Sequence, residues 1–198
     1  VLADNSEFAL YNVDLETSET APGVLRYAQY LDVRDAKRVV RAMKMHRPDL
    51  VFHAAALKHV PIVEDNVLDG IETNVQGTIN VADSCVEQGV GVMVLISTDK
   101  AVNPTSVMGA TKRIAESYCQ NLDMTADGNG TRFVTVRFGN VLGSTGSVVP
   151  LFQRQLANGG PLTVTHREMT RFFMTVREAV ELVLQASALA AGTTEGAG

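Results

Sequence analysis

Between Val92 and Glu116 the sequence reads VMVLISTDKAVNPTSVMGATKRIAE, and few folds can hold residues in that order. Val92–Ile96 is a short, unbroken apolar run, the pattern of a strand buried on both faces. Ser97, Thr98, Asp99 and Lys100 follow directly, so two hydroxyls, a carboxyl and an amine leave the strand at its C-terminal end. Asn103-Pro104 then breaks the chain, because proline disfavours helical backbone in the residue before it. Helical spacing resumes through Met108, Lys112, Ala115 and Cys119, with Met108 and Lys112 four apart on one face. In open α/β sheets ligands bind at the carboxyl ends of the strands. A strand delivering an acid–amine pair there, with a helix returning a lysine, describes a proton-handling site. From spacing alone, a solvated Asp–Lys surface pair is the plainer alternative.

The rest of the chain repeats the strand–helix alternation. Val1–Ala3 reads as the tail of a strand with Asp4 at its end, followed by a helix over Phe8 to Leu15. Asp4 sits where a dinucleotide fold binds the adenosine ribose hydroxyls; the alternative is that Asp4 or Ser6 caps the helix. Val24–Leu31 is a second strand, ending in Asp32-Val33-Arg34-Asp35 before a helical stripe through Val39, Val40 and Met43. Leu50–His53 is a third, running into Ala54, Ala55 and Ala56, whose small side chains let the backbone approach a ligand closely. Asp69–Gln88 has apolar residues at three- and four-residue steps and predicts one long helix stopped by Gly89. After a polar loop over Asp123–Gly130 comes the strand Arg132–Phe138, a helix from Val148, a short apolar segment Pro161–Thr165, and a last helix. Thr175 and Glu178 have the spacing of a capping box for that helix. The pattern predicts an α/β fold with a doubly wound parallel sheet.

The run S-T-D-K-A-V-N-P-T-S-V-M-G-A-T-K-R resembles the signature of the CapD-like polysaccharide-biosynthesis family, UDP-N-acetylglucosamine 4,6-dehydratases of the extended short-chain dehydrogenase/reductase superfamily. The resemblance extends from Asp4 to about Ala190 and implies a Rossmann-like fold. It also implies an NAD or NADP cofactor and a UDP-sugar substrate, with a 4-keto-6-deoxy sugar formed through transient oxidation at C4. In the family's terms Asp99 protonates the departing 6-hydroxyl and Lys100 takes the C5 proton. Thr98 or Ser97 holds the C4 oxygen, and Lys112 orients the nicotinamide ribose. For those roles Asp99 should be shifted up and Lys100 down. Asp4, Asp32, Val33, Ala54, Ala55, Ala56, Asn74 and Lys112 fall on cofactor-binding positions, Asn74 behind the site.

R-F-G-N-V-L-G, from Arg137, resembles the epimerase element whose asparagine contacts the sugar diphosphate, which assigns Asn140 that role. Val149 lies in a stretch that cradles the uracil in relatives. Arg171 stands in an otherwise apolar run, where a diphosphate is the fitting partner for a guanidinium. Lys58 reaches either the cofactor, the sugar phosphate or only solvent. The superfamily's Y-x-x-x-K tyrosine is Met108 here, and a thioether cannot remove a proton, so Lys112 becomes the candidate base at C4. Two other readings stay open: a nucleotide-sugar C4 epimerase, against which stand Asp99-Lys100 and Met108, and a non-catalytic nucleotide-sugar-binding protein.

Composition excludes more than it assigns. The 198 residues are 45% hydrophobic and carry a net charge of −5 without a basic cluster, which argues against nucleic acid as a partner. Cys85 and Cys119 read as buried reduced thiols and no metal-ligand spacing occurs, so a cytoplasmic setting and no metal are expected. No apolar run reaches membrane-span length, so any membrane attachment of an inner-membrane parent would lie outside this chain. No G-x-G-x-x-G precedes the first helix. The first strand and glycine turn of the cofactor fold are therefore expected to be missing, which predicts weak or no NAD(P) binding by this chain. Residues 1–138 form the expected partial cofactor domain and 139–198 a partial substrate-binding part. A homo-oligomer is expected.

Overall fold

The computed structural model describes residues 1–126, 130–144, 148–164 and 166–192. In chain order these form β1 (Leu2–Asp4), α1 (Glu7–Thr20), β2 (Ala28–Tyr30), α2 (Ala36–His46), β3 (Leu50–His53), α3 (Val60–Asp65), α4 (Val67–Ile71), α5 (Gly77–Gln88) and β4 (Val92–Thr98). They continue with α6 (Val107–Thr125), β5 (Arg132–Phe138), β6 (Asn140–Val141), α7 (Val148–Ala157), β7 (Phe173–Met174) and α8 (Val176–Gly192). Every strand pair among the described residues is parallel: β1 with β2, β3–β4–β5 in that order, and β6 with β7.

β4 shows why the sheet is covered on both sides. Side chains alternate across a strand, so Met93 and Leu95 point to one face and Val92, Val94 and Ile96 to the other. Met93 and Leu95 join Val39 of α2, Val81, Ala82 and Cys85 of α5, and Ala115 and Cys119 of α6 in one core. Val92 and Val94 pack with Val136 of β5 and with Val183, Ala186 and Ala190 of α8 in a second. Each fully buried side chain of this size contributes about 1.5–3 kcal/mol. Both cysteines are free and buried, and burial pushes each thiol up to about 12.

The structure is doubly wound α/β, with two departures from the sequence reading. The strand expected over Val24–Leu31 shortens to Ala28–Tyr30, because β1 offers only Leu2–Asp4 to pair with. The helix expected over Asp69–Gln88 carries a π turn at Glu72–Gln76, which brings Asn74 to the interior. Arg171 is exposed. β1 and β3 share no ladder, and Leu50 and Phe52 of β3 are exposed on that side of the sheet. In the expected loop over Asp123–Gly130, residues 127–129 lie outside the described residues. So does Thr165 of the expected apolar segment, whose other residues form no helix or strand. Gly89 ends α5 at φ 68°, as predicted, and Thr175 and Glu178 form the capping box, with Thr175 N donating to Glu178 at 2.7 Å.

Candidate active site

β4 ends at Thr98, and Asp99–Ala101 turn away as one 3₁₀ turn. One Asp99 carboxylate oxygen accepts from both the Thr98 hydroxyl and the Lys100 ammonium, each at 2.9 Å. The two charged side chains are 40% and 37% exposed, so in water such a pair contributes at most about 1 kcal/mol. Partial burial works to raise the Asp99 carboxyl. The hydrogen bonds from Lys100 and Thr98, with the Lys100 charge, outweigh it and leave the carboxyl below the ordinary range. That reverses the upward shift expected from sequence. The physical reason is that the amine supposed to share the site is itself the donor holding the carboxylate ionised.

Lys112 reaches the same strand end from α6. Its amine is buried and donates to the Ile96 carbonyl at 2.6 Å, two residues before Thr98. Burial pulls it down to about 8, with Glu116 and Cys119 opposing. Met108, one turn earlier, is 4% exposed and packs as a core residue. Glu116, one turn later, is equally buried. It accepts two hydrogen bonds from Arg137 at 2.8 and 2.6 Å and one from Arg113 at 3.2 Å. Glu116 and Arg137 were not singled out from the sequence, although the four-residue step from Lys112 to Glu116 was a visible signal.

Behind the lysine runs a chain of buried polar groups. The Asn74 side chain accepts from Leu57 N at 2.8 Å and donates both to Leu57 O and to the Thr111 hydroxyl, each at 3.0 Å. Asn74 therefore bolts the alanine segment after β3 to α6, one residue from Lys112, as a structural post rather than a cofactor contact. His53 contacts Thr78 Oγ1 at 3.0 Å, and burial, helped by the Lys112 charge, lowers its imidazole to about 3. It stays neutral and structural.

The residues expected to meet the cofactor mostly share one cavity of about 560 Å³, which opens where β1 and β3 fail to pair. Asp4, Val33, Ala54, Ala55 and Ala56 line it, with Arg34, Asn5 and Thr73, which sequence reasoning passed over. Asp4 Oδ1 also accepts from Ser6 N at 2.7 Å, while Ser6 caps α1, as the capping reading of that corner expected. Asp32 is not on the wall. Its carboxylate is gripped by Arg34, at 2.6 Å for the shortest contact, which holds it below the usual range. Lys58 is exposed in the loop before α3 and also lies off the wall.

On the other side of Asp99 the register pairs Thr98 with Phe138, so Gly139 and Asn140 emerge next to the β4 end. Asn140 N and Nδ2 both donate to the Phe172 carbonyl, at 2.9 and 3.2 Å, and β6 pairs with β7 directly after Arg171. Asn140 thus lies in this small sheet, and Arg171 precedes its second strand by two residues. Val149 lies half-buried on α7. Among the described residues no group of three or more His, Cys, Asp or Glu could hold a metal, and no helix is long and apolar enough to cross a membrane.

The family model described as polysaccharide biosynthesis protein matches residues 1–194. The chain belongs to the polysaccharide biosynthesis protein family. It is 51% identical over 193 residues to the capsular polysaccharide biosynthesis protein CapD of Staphylococcus aureus, covering 97% of this chain and 32% of that protein. It is 44% identical over 154 residues to a UDP-N-acetylglucosamine 4,6-dehydratase (inverting) of Campylobacter jejuni, covering 77% of this chain and 46% of the relative. A UDP-glucose 4-epimerase of Rickettsia canadensis is also 44% identical, over 155 residues, 78% of this chain and 45% of the relative. The solved structure of Pen from Bacillus thuringiensis superposes with a TM-score of 0.84 at 36% identity, covering 94% of this chain and 58% of Pen. The chain thus spans about a third of the length of CapD and under half of the dehydratase.

Proposed function

We propose that this chain supplies the catalytic corner of an NAD(P)-dependent UDP-N-acetylhexosamine 4,6-dehydratase acting on UDP-N-acetylglucosamine. The observation that carries the reading is the Asp99–Lys100 pair at the end of β4 with Lys112 beside it. A C4 epimerase needs one base; elimination of the 6-hydroxyl needs an additional acid and a base at C5.

The cavity between β1 and β3 fits a dinucleotide, because Ala54–Ala56 leave room for close approach and Asp4 presents a carboxylate where ribose hydroxyls need an acceptor. Bound there, the nicotinamide would supply hydride exchange with C4 and C6 of the sugar. The protein's own groups do the rest. The Lys112 amine, held low by burial, takes the C4 hydroxyl proton at neutral pH. With the sugar bound, the Thr98 hydroxyl turns from Asp99 to donate to the C4 oxygen. Asp99 and Lys100 meet the sugar as an ion pair, and loss of water disfavours two charges over a neutral acid and amine. The proton then crosses the 2.9 Å contact from Lys100 to Asp99. That leaves a carboxylic acid to protonate the departing 6-hydroxyl and a free amine to take the C5 proton. Asn140 and Arg171 bind the diphosphate, and Val149 lies toward the uracil. Residues 1–138 act as the cofactor-binding part and 139–198 as the substrate-binding part.

An epimerase is the second reading, favoured by the Rickettsia relative. One assay separates the two. The full-length protein incubated with UDP-N-acetylglucosamine and catalytic NAD(P)+ yields a 4-keto-6-deoxy sugar if the reading is right. Formation of UDP-N-acetylgalactosamine, or an unchanged sugar, overturns it.

A further inference from the structure

Helix α6 crosses the Asp99–Lys100 turn so closely that position 109 has no room for a side chain. A methyl placed on Gly109 would run into the Lys100 carbonyl oxygen and stand 3.2 Å from both its carbonyl carbon and Pro104 Cβ. The nearest obstacle is backbone and cannot rotate aside. Glycine also weakens a helix interior relative to alanine, so its place in the first turn of α6 answers to this contact rather than to helix formation.

Of the two partners, the helix is the one held fast. Ser106 caps it through Gly109 N at 3.1 Å, and Glu64 on α3 accepts from Val107 N at 2.7 Å. Met108 is buried, and Lys112 is tied to the Ile96 carbonyl at 2.6 Å. The turn is held by local bonds, Val102 N to Asp99 O at 3.0 Å, the Thr98 hydroxyl to Asp99 at 2.9 Å and Lys100 N to the Thr98 hydroxyl at a long 3.4 Å, with Ala101 buried. A side chain at 109 therefore displaces the turn and leaves the helix in place.

We propose that Gly109 is a positioning residue for dehydration: the missing side chain lets α6 seat against the Lys100 carbonyl and fixes where the Asp99 carboxyl and Lys100 amine stand relative to Lys112 and the sugar. The proposal rests on the reading of Asp99 and Lys100 as the acid–base pair. A misplacement of about 1 Å in such a pair costs on the order of 100-fold in rate.

The test uses the full-length protein with UDP-N-acetylglucosamine and NAD(P)+. Gly109→Ala should lower kcat for the 4-keto-6-deoxy product about 100-fold while KM for the sugar changes less than about twofold. Cofactor reduction in a single turnover, which reports C4 oxidation at Lys112, should persist. Because the added methyl also costs stability, the core truncation Val39→Ala on α2 is measured beside it as a stability control. It should lose melting temperature and keep kcat. A Gly109→Ala protein with wild-type kcat, or a Val39→Ala protein that loses kcat as far as Gly109→Ala does, overturns the proposal. A wild-type protein that forms no 4-keto-6-deoxy sugar overturns the dehydratase reading instead. In that event an Asp99 carboxyl titration, followed by ¹³C NMR, still decides the placement: a shifted curve in Gly109→Ala supports it and an identical curve sinks it.

Discussion

The Lys112 side-chain nitrogen lies 2.6 Å from the carbonyl oxygen of Ile96, buried at the end of the central strand. A single neutral acceptor does little to solvate an ammonium. The group is therefore caught between desolvation, which favours the free amine, and Glu116 one turn away, which favours the charge. The balance near pH 8 suits an amine that must accept a proton in water near neutrality.

It follows that kcat should climb with pH, about tenfold per unit, and level off near 8, where half of Lys112 is already free. Lys112→Met should cut turnover by about 10²–10⁴-fold. Calorimetric titration of the variant with UDP-N-acetylglucosamine should give wild-type affinity, because the amine has no part in holding the sugar. A flat pH profile from 6 to 9 would point to a different base.

His53 makes the fold sensitive to acid. Its folded-state value of about 3 lies below the ordinary 6.5, so as pH falls through that window the unfolded chain takes up a proton that the folded chain refuses. Stability is then lost at about 1.4 kcal/mol per unit, toward a total of about 5 kcal/mol. His53→Gln keeps a polar group for Thr78 and removes the titration. Urea denaturation between pH 6.5 and 4 should show a slope shallower by one proton in the variant. Parallel slopes for the two proteins would contradict the account.

Glu116 links α6 to β5 through Arg137, with a side chain 4% exposed against 39% for the arginine. Removing one partner of a buried pair costs about 3–5 kcal/mol, and the arginine's access to water reduces that to about 2 kcal/mol for Glu116→Gln. Arg137→Leu together with Glu116→Gln should cost less than the sum of the single changes. Additive losses in a double-mutant cycle would mean the ion pair contributes nothing by itself.

Much of the site's placement could be read before the fold was known. An unbroken apolar run had to be an interior strand, so the residues directly after Ile96 had to stand at its carboxyl end. Asp4 and Ala54–Ala56, each singled out at a strand end in the sequence, line one cavity. Asp32, by contrast, was aimed at a ligand by resemblance and is turned instead onto Arg34.

What the sequence determined by itself was the order and direction of the elements and the company each residue keeps within a turn or two. Hydrophobic period, caps and proline breaks act between neighbours, so they survive without the rest of the molecule. Only the tertiary structure decided that Glu116 meets Arg137, that Glu64 grips the start of α6, that Gly109 touches the Lys100 carbonyl, and that Asp99 rests ionised. Three of these depend on groups 9 to 43 residues apart, and the last on how much water remains beside a charge. Separation and solvation are properties of the folded volume, and no local pattern encodes them.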